Sequence, residues 1–345
     1  MLLESITVVE FGRIFSAPLA GKILGDLGAK VIKIERKGTQ DESRHYGMKL
    51  PNGESDYFRA LNHNKETIEL DLKDENDLKK ALYILKNADV LIHNSLQKSF
   101  DKLGLSYEIV SKLNPKIIYT AVSGYGYKSV YRDNPSQDAI IQGLSGFMSL
   151  NGHADDIPLK TGVPMIDYVT GQYAVIGILA ALNERHQTGK GKLVTVSLLE
   201  SALGVIAIEA ARYLNLNQVA SRNSNRHYSI APYNAYQTKD GYVMIAIANN
   251  EMFARFSNVL GINYDEFDSN EKRLANVDEM DRIINEKTKN YSTKDLIETL
   301  RANKISCGPI NNIAQAFASP EVKELDLIEQ KGEIKHLKTP INFFE

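Results

Sequence analysis

Up to about Gly124 the chain alternates between short β-branched runs and stretches with helical apolar spacing, and this alternation constrains the fold most. Strands are predicted in SITVVEFG, KVIKIE, TIELDL, DVLIHNS and PKIIYTAVSG. Helices are predicted between them in APLAGKILGDLGA, ENDLKKALYILKNA and YEIVSKLN. Strands that alternate with helices favour a parallel sheet covered on both faces. The sequence therefore predicts an α/β fold for this part.

The remainder of the chain predicts further helices and a second, smaller domain. From about Gly143 the pattern is helical, interrupted by a turn and strand in GKGKLVTVS and then broken by the polar stretch NLNQVASRNSNRHYS. NAYQTKDGYVMIAIAN predicts a hairpin with Lys239-Asp240-Gly241 as its turn, and charged helices follow. We predict a large domain over 1–200, a linker over 201–226 and a small α+β domain over 227–325.

Composition excludes several classes of protein. The 345 residues carry 41 basic and 43 acidic side chains, a net charge of −2, which gives no electrostatic reason for a nucleic-acid or membrane partner. Cys307 is the only cysteine, so an internal disulfide and a cysteine-based metal cluster are excluded. We see no signal peptide and no apolar run of roughly 18 residues. These features predict a soluble cytoplasmic protein that does not span a membrane.

Common catalytic and cofactor motifs are weak in this sequence. Glu35 ends the second predicted strand, where a ribose-binding acid often lies, but EFGRIFSAPLAG lacks the glycine pattern of a dinucleotide site. The seven histidines have no zinc-binding spacing, and no G-x-S-x-G is present. A non-catalytic nucleotide-binding protein therefore stays open as an alternative.

Asp167 is the only acid in TGVPMIDYVTGQYAVIGILAAL, at the head of a predicted buried helix. Aspartate is a favoured N-cap, and its charge suits the helix dipole by roughly 0.3–1 kcal/mol. The same position also suits a nucleophile. A carboxylate that the helix N-terminus keeps ionised attacks a carbonyl without a general base, and nearby backbone N–H groups could stabilise the oxyanion. The sequence pattern alone leaves both interpretations open.

Several motifs, in one order over roughly residues 5 to 325, resemble the class III CoA-transferases of the CaiB/BaiF type, whose fold the α-methylacyl-CoA racemases share. They are APLAGKILGDLGAKVIKIER, LNHNKETIELDLK, LGLSYEIVSKLNPKIIY, SGYG, TGKGKLVTVS, APYNAYQTKDGYVMIAI and CGPINNIAQAFASPEV. The resemblance implies a Rossmann-like large domain, a smaller α+β domain, and an interlocked homodimer. It also implies that the segment 326–345 returns towards the large domain.

The resemblance implies that Asp167, in a D-x-x-[TS]-G context, is the catalytic nucleophile. CoA would pass from an acyl-CoA to a free carboxylic acid through an aspartyl anhydride and an aspartyl-CoA thioester. No permanently bound cofactor and no metal are implied, since CoA enters and leaves as acyl-CoA substrate. Succinyl-CoA with a small carboxylic or dicarboxylic acid is the pair of substrates that the resemblance favours.

The resemblance also implies a set of CoA contacts. Ile14, Phe15 and Ser16 would line the pantetheine path, and Arg36 would lie near the adenosine phosphates. The further contacts implied are Leu70, Lys73, Asn94, Lys102, Gln137 and Asp138. Lys102 stands where many members have an arginine, which keeps the charge but not the bidentate fork.

A racemase is the alternative within the same fold. Family racemases use a histidine of a His-Asp pair as a base, and this chain has Gln137-Asp138 at the matching positions. Glutamine cannot act as a base. The sequence therefore favours a transferase over racemase-type proton transfer.

Overall fold

The alternation of the first half forms a six-stranded parallel sheet, so the predicted α/β fold is confirmed. Its strands are β1 Thr7–Phe11, β2 Lys30–Arg36, β3 Glu66–Leu70, β4 Val90–His93, β5 Ile118–Ser123 and β6 Lys192–Ser197. They lie in the order β3-β2-β1-β4-β5-β6, and every pair is parallel. Neighbouring residues such as Val8 and Val9 are both fully buried. Helices therefore cover both faces, which explains the nearly continuous apolar runs.

The structure is a computed structural model that describes residues 2–344. These residues form two compact units. The first runs up to Ser149, includes Leu159–Ala220 and continues from Leu327 onwards. The second consists of Leu150–Pro158 and Ser221–Asp326.

The first unit contains nine α-helices within the described chain, and several of them cover the two faces of the sheet. They are α1 Ser16–Asp26, α2 Asp56–Asn62, α3 Glu75–Lys86, α4 Gln97–Lys102, α5 Tyr107–Leu113, α6 Asp138–Leu144, α7 Met165–Thr188, α8 Leu198–Val205 and α9 Ala207–Leu216. On one face, Leu24 of α1 and Ile178 of α7 pack in a core with strand residues such as Ile92. On the other face, Leu85 of α3 and Phe100 of α4 belong to a second core.

Much of the predicted linker is helical. Residues 201–205 lie in α8 and residues 207–216 in α9, and residues up to Ala220 belong to the first unit. The apolar spacing of Leu198–Leu214 carries the helical signal there, and the chain leaves helix at Asn217, which has a left-handed φ of 55°. The limits of the compact units thus differ from the predicted domain limits.

The second unit has a three-stranded antiparallel sheet and six helices within the described chain. The strands are β7 Tyr233–Gln237, β8 Tyr242–Ala246 and β9 Ser306–Pro309. The helices are α10 Asn250–Leu260, α11 Asn270–Ala275, α12 Val277–Thr288, α13 Thr293–Ala302, α14 Ile313–Ala318 and α15 Pro320–Lys323. The predicted hairpin around Asp240 is present, because β7 and β8 pair across it. Its core contains Tyr236, Phe253 and Leu300.

The last part of the chain is a hairpin that packs on the first unit. Its strands are β10 Ile328–Lys331 and β11 Ile334–Leu337. The ring of His336 stacks on that of His63 with 4.2 Å between the centroids. Thr339 donates from its hydroxyl to Asp26 Oδ2 over 2.7 Å, so the segment contacts the C-terminal end of α1.

One helix is longer and more apolar than the sequence analysis expected. Helix α7 has 24 residues, and its most apolar 18-residue window has a mean hydropathy of 1.4, so by length and composition it could cross a membrane. The core helix of a soluble protein has the same properties. The buried residues Ala174, Ile178 and Ala181 belong to the core in which α7 packs against α1 and against β5 and β6.

Candidate active site

Two loops meet at the carboxyl edge of the sheet, at the point where the strand order reverses between β1 and β4. The Asn94 side chain, just after β4, accepts from Arg13 N at 2.9 Å and donates to Arg13 O at 2.8 Å. Doubly wound sheets bind ligands at this kind of position. Both groups of the Asn94 amide are thus engaged by the loop after β1.

A cavity of about 580 Å³ lies beside these loops. Seven of the predicted site residues line it: Ile14, Phe15, Ser16, Asn94, Gln137, Asp138 and Asp167. Residues far apart in the chain therefore surround one space next to Asp167. We call this space the aspartate cavity.

A second cavity, of about 280 Å³, lies beyond the ends of β1, β2 and β3. Three further predicted site residues line it: Arg36, Leu70 and Lys73. Arg13 and Ser95 line both cavities, so the two spaces adjoin at these residues. Lys102, in α4, lines neither of the two, and the structure does not bring it together with the other ten.

Asp167 lies in the first turn of α7 but does not cap it. The N-cap residue of α7 is Pro164, whose side chain makes no capping hydrogen bond. Asp138, the first residue of α6, caps α7 instead, because its Oδ2 accepts from Ile166 N at 2.8 Å and from Asp167 N at 3.2 Å. The interpretation of Asp167 as an N-cap is therefore wrong, and its carboxylate is left for other contacts.

The capping by Asp138 also changes the expected oxyanion site. Met165 N donates to Val163 O and Tyr168 N to Pro164 O, in addition to the two N–H groups that Asp138 accepts. The first-turn N–H groups of α7 are therefore engaged and do not supply the oxyanion donors that the sequence analysis expected. The first turn of α1 differs, because no side chain caps it and the described residues supply no acceptor for the N–H groups of Ser16 and Ala17.

Burial, followed by the like charge of Asp138, raises the pKa of Asp167 to about 7, although a hydrogen bond from the Ser16 side chain lowers it. The sequence analysis expected the helix to keep Asp167 fully ionised. That expectation was wrong, because burial disfavours the charged form and Asp138 places a charge of the same sign at the helix N-terminus. At neutral pH the Asp167 carboxyl group is close to its midpoint between acid and carboxylate.

The D-x-x-T-G motif has a packing explanation in this fold. A Cβ atom added at Gly171 would lie 2.8 Å from Ser16 O, so only glycine lets α7 approach α1 this closely. Thr170 is fully buried and donates its hydroxyl to Ile166 O at 2.7 Å. Gly171 is one turn beyond Asp167, and the close approach at Gly171 brings Asp167 next to Ser16.

Phe15 belongs to a wall of aromatic rings beside Asp167, and the sequence analysis did not single out the other rings. The ring of Phe15 meets those of Tyr57 and Tyr168 edge to face, at 5.9 and 4.7 Å between centroids, and Tyr46 contacts Tyr57 similarly. Burial, and then the charge of Asp167, raise the pKa of Tyr57 to about 12, so its hydroxyl keeps its proton. Tyr57 lies in α2, which precedes the N-x-N-K motif, and no spacing in the sequence relates it to Asp167.

The part of the chain that the structure describes offers little for two other kinds of site. Its His, Cys, Asp and Glu side chains form no group of three or more that could hold a metal ion. Among the described residues, none that lines the aspartate cavity is a histidine, the base expected of a racemase, and Gln137 is exposed at the N-cap of α6.

Comparisons with known proteins agree with this fold. A family model described as CoA-transferase family III matches residues 3–344. A CAIB/BAIF family protein from Brucella suis has a similar structure, with a TM-score of 0.91 and 35% identity, over 99% of this chain and 92% of that one. The family model and this match define the class of protein, the CoA-transferases of the CaiB/BaiF type. The six-stranded parallel sheet belongs to this fold.

Two curated relatives are named for the transfer of CoA. The succinate–glutarate CoA-transferase of Agrobacterium fabrum is 35% identical over 98% of this chain and 88% of its own length. The human succinyl-CoA:glutarate CoA-transferase is 33% identical over 94% of this chain and 75% of its own length. The chain therefore belongs to CoA-transferase family III, and its enzyme class is that of the CoA-transferases.

Proposed function

We propose that this enzyme transfers CoA from an acyl-CoA to a free carboxylic acid, with Asp167 as the covalent nucleophile. The observation that carries the proposal is the position of Asp167. Its carboxyl group faces the aspartate cavity, is excluded from capping by Asp138, and has a pKa raised by burial to about 7. A carboxyl group in a cavity with a pKa raised by burial is typical of a functional site, whereas an exposed structural aspartate keeps its ordinary pKa.

The proposed reaction has four steps. Asp167 attacks the thioester carbonyl, which gives a mixed anhydride and CoA thiolate. The thiolate attacks the aspartyl carbonyl, which releases the donor acid and leaves an aspartyl-CoA thioester. The acceptor carboxylate attacks that thioester, which releases CoA thiolate and forms a second anhydride. The thiolate then attacks the acyl carbonyl of this anhydride and forms the product acyl-CoA. The aspartate is regenerated and no water is consumed.

The residues around Asp167 suit these steps. The Ser16 side chain hydrogen-bonds to Asp167, and Tyr57 keeps a proton that can be donated to developing negative charge. Ser16 lines the aspartate cavity at the first turn of α1, and its N–H group is the proposed oxyanion donor. The ring of Phe15, packed against Tyr57 and Tyr168, would keep water away from the anhydride.

We infer that CoA lies across the two adjoining cavities. Arg36 and Lys73 are exposed at the second cavity and would bind the phosphates, and Leu70 would contact the adenosine part. The pantetheine would pass Arg13 and Ser95 and then run along Ile14, Phe15 and Ser16 to Asp167. For Lys102 the proposal rests on the family resemblance.

The acceptor is proposed to be a small dicarboxylic acid. The relatives named above act, by their names, on succinyl and glutaryl groups. Arg132 and Lys160 line the same cavity as Asp167 and would bind the distal carboxylate of such an acid. One carboxylate would then be directed to Asp167 and the other to a cation.

We also infer a homodimer in the cytoplasm. Helix α9 has no buried residue, although Ile208, Leu214 and Leu216 are each more than 60% exposed. A helix with several exposed apolar side chains is typical of an interface between subunits. The interlocking of the chains and the cytoplasmic location rest on the family resemblance.

Mass spectrometry with a panel of acyl-CoAs and isotopically labelled acids in D₂O tests the proposed activity. Label from a dicarboxylic acid should appear in the thioester pool, and no deuterium should enter the α-carbon of a branched acyl-CoA. Deuterium at that carbon without exchange of acids would contradict transfer and favour racemase-type chemistry.

A further inference from the structure

The loop between β1 and α1, residues 12–15, has a backbone conformation that its sequence does not favour. Ile14 has a φ of 65°, in the left-handed region that β-branched residues rarely adopt. Its side chain is 37% exposed, so burial of that side chain does not account for the conformation. Contacts from elsewhere in the unit must therefore maintain it.

Side chains from other elements bind the backbone of this loop. Lys33 of β2 donates to Gly12 O at 2.6 Å. Asp41 Oδ1 accepts from Ile14 N at 3.2 Å, and Asn94 binds both backbone groups of Arg13. The polar groups on each side of Ile14 thus have partners outside the loop.

Two of these side chains belong to a row of four buried ionised groups, which we call the buried charge chain: Asp41, Lys33, Glu10 and Lys65. Lys33 Nζ lies 3.0 Å from Asp41 Oδ2 and 3.0 Å from Glu10 Oε1. Lys65 Nζ lies 2.7 Å from Glu10 Oε2. Each of the four side chains is at most 1% exposed, and their two positive and two negative charges balance.

The buried charge chain also contacts α1 beyond the loop. Lys65 donates to Pro18 O at 2.7 Å and to Asn62 Oδ1 at 2.9 Å, which gives the N-x-N-K motif a structural role. A side chain at Gly21 would overlap the Glu10 carboxylate, so α1 lies directly against this group. The buried charge chain thus binds the backbone at the first residue of the loop, Gly12, and beyond the loop, at Pro18.

Ser16 lies between these two attachment points and lines the aspartate cavity together with Asp167, whose pKa the Ser16 side chain lowers. Buried ion pairs add little to stability compared with apolar packing of the same volume, so the three pairs of the buried charge chain point to a role beyond stability. Building on the proposed function, we propose that Lys33 and Asp41 are positioning residues that fix Ser16 against Asp167 during CoA transfer.

The variant Asp41→Asn tests this role, with Asp26→Asn as a matched control. The asparagine side chain would keep the shape of Asp41 and one acceptor oxygen but lose the charge that pairs with Lys33. Asp26 also forms an ion pair, with Lys22 at 2.5 Å, but at the opposite end of α1. The measurements are kcat, KM for both substrates, and amide hydrogen exchange of peptides that cover residues 12–18.

We expect Asp41→Asn to lower kcat by about 10- to 100-fold with KM changed less than about threefold. Exchange of the Ile14–Ser16 amides should become at least about tenfold faster. In Asp26→Asn, kcat and exchange in this loop should both stay within about twofold of the unchanged enzyme.

Equal losses of kcat in the two variants would overturn the proposal, as would unchanged exchange in the loop of Asp41→Asn. Hydrogen exchange does not depend on turnover, so failure of the proposed CoA transfer and failure of the positioning role give different results. If Asp41→Asn does not fold, the charge-balanced double variant Lys33→Met with Asp41→Asn keeps the Glu10–Lys65 pair and must show the same loop exchange.

Discussion

Two aspartates of the first unit, the fully buried Asp41 and the partly buried Asp167, have opposite electrostatic surroundings. Burial alone would raise the pKa of Asp41, but the charge of Lys33 and hydrogen bonds from Ser43 outweigh it and hold that pKa below its ordinary value. At Asp167, burial and the charge of Asp138 act in the same direction and raise the pKa to about 7. A paired buried carboxylate is a fixed charge, whereas an unpaired one titrates near neutral pH and is suited to chemistry.

Of the substitutions at these two sites, Asp167→Asn is expected to have the largest effect, a loss of turnover. The amide is close in shape to the carboxylate but cannot attack a thioester, so we expect kcat for CoA transfer to fall by about 10⁴-fold or more. Asp26→Asn is the control and should retain its rate. Turnover within tenfold of the unchanged enzyme in Asp167→Asn, measured by the same labelled-acid assay, would show that another group is the nucleophile.

The next largest effect is expected on stability, at the paired site. Lys33→Met leaves Glu10 and Asp41 buried with one cation fewer, and should lower the free energy of unfolding by about 3–5 kcal/mol. Lys30→Met is a matched control in the same strand, because Lys30 pairs with Glu66 at 3.1 Å where both side chains are more than half exposed. That change should cost less than about 1 kcal/mol in denaturant unfolding. Similar losses in both variants would contradict the comparison.

The unpaired site should also determine how the rate depends on pH. Only the carboxylate form of Asp167 attacks, and its pKa is raised to about 7, so kcat/KM for the acyl-CoA should rise with pH and level off above about 7. Below that value the rate should fall about tenfold for each pH unit. A profile that is flat between pH 5 and 8 would mean that Asp167 is fully ionised throughout this range.

The smallest predicted effect is a gain in stability when the nucleophile is removed. An acid whose pKa is raised from about 4 to about 7 on folding loses stability as pH rises through this window, because the unfolded chain ionises more easily. Asp167→Asn removes this loss. Above pH 7 the variant should be more stable by on the order of 1–3 kcal/mol, with the difference reduced for partial exposure. The gain should vanish near pH 4, and a gain independent of pH would have another cause.

The sequence predicted those features that depend on local pattern. Alternating runs predicted the sheet, and the D-x-x-T-G context singled out Asp167 in the first turn of α7. The charged partners could not be predicted in the same way, because they come from distant parts of the chain. Asp138 accepts a hydrogen bond from the N–H group of Asp167, although the two residues are 29 positions apart in the chain. Lys33 lies in an apolar strand, and nothing in the KVIKIE pattern shows that Glu10 and Asp41 surround it.

The central claim, that Asp167 exchanges its carboxylate oxygen with the substrates, is tested most directly with a dicarboxylic acid labelled with ¹⁸O in both carboxylates. In the proposed sequence of anhydrides, one oxygen of the acceptor passes to Asp167 and then, in the next turnover, to the acid released from the donor. We predict that the peptide carrying Asp167 gains mass after one turnover, and that the released donor acid carries ¹⁸O after many. Rapid CoA transfer with no ¹⁸O in the Asp167 peptide would contradict the account.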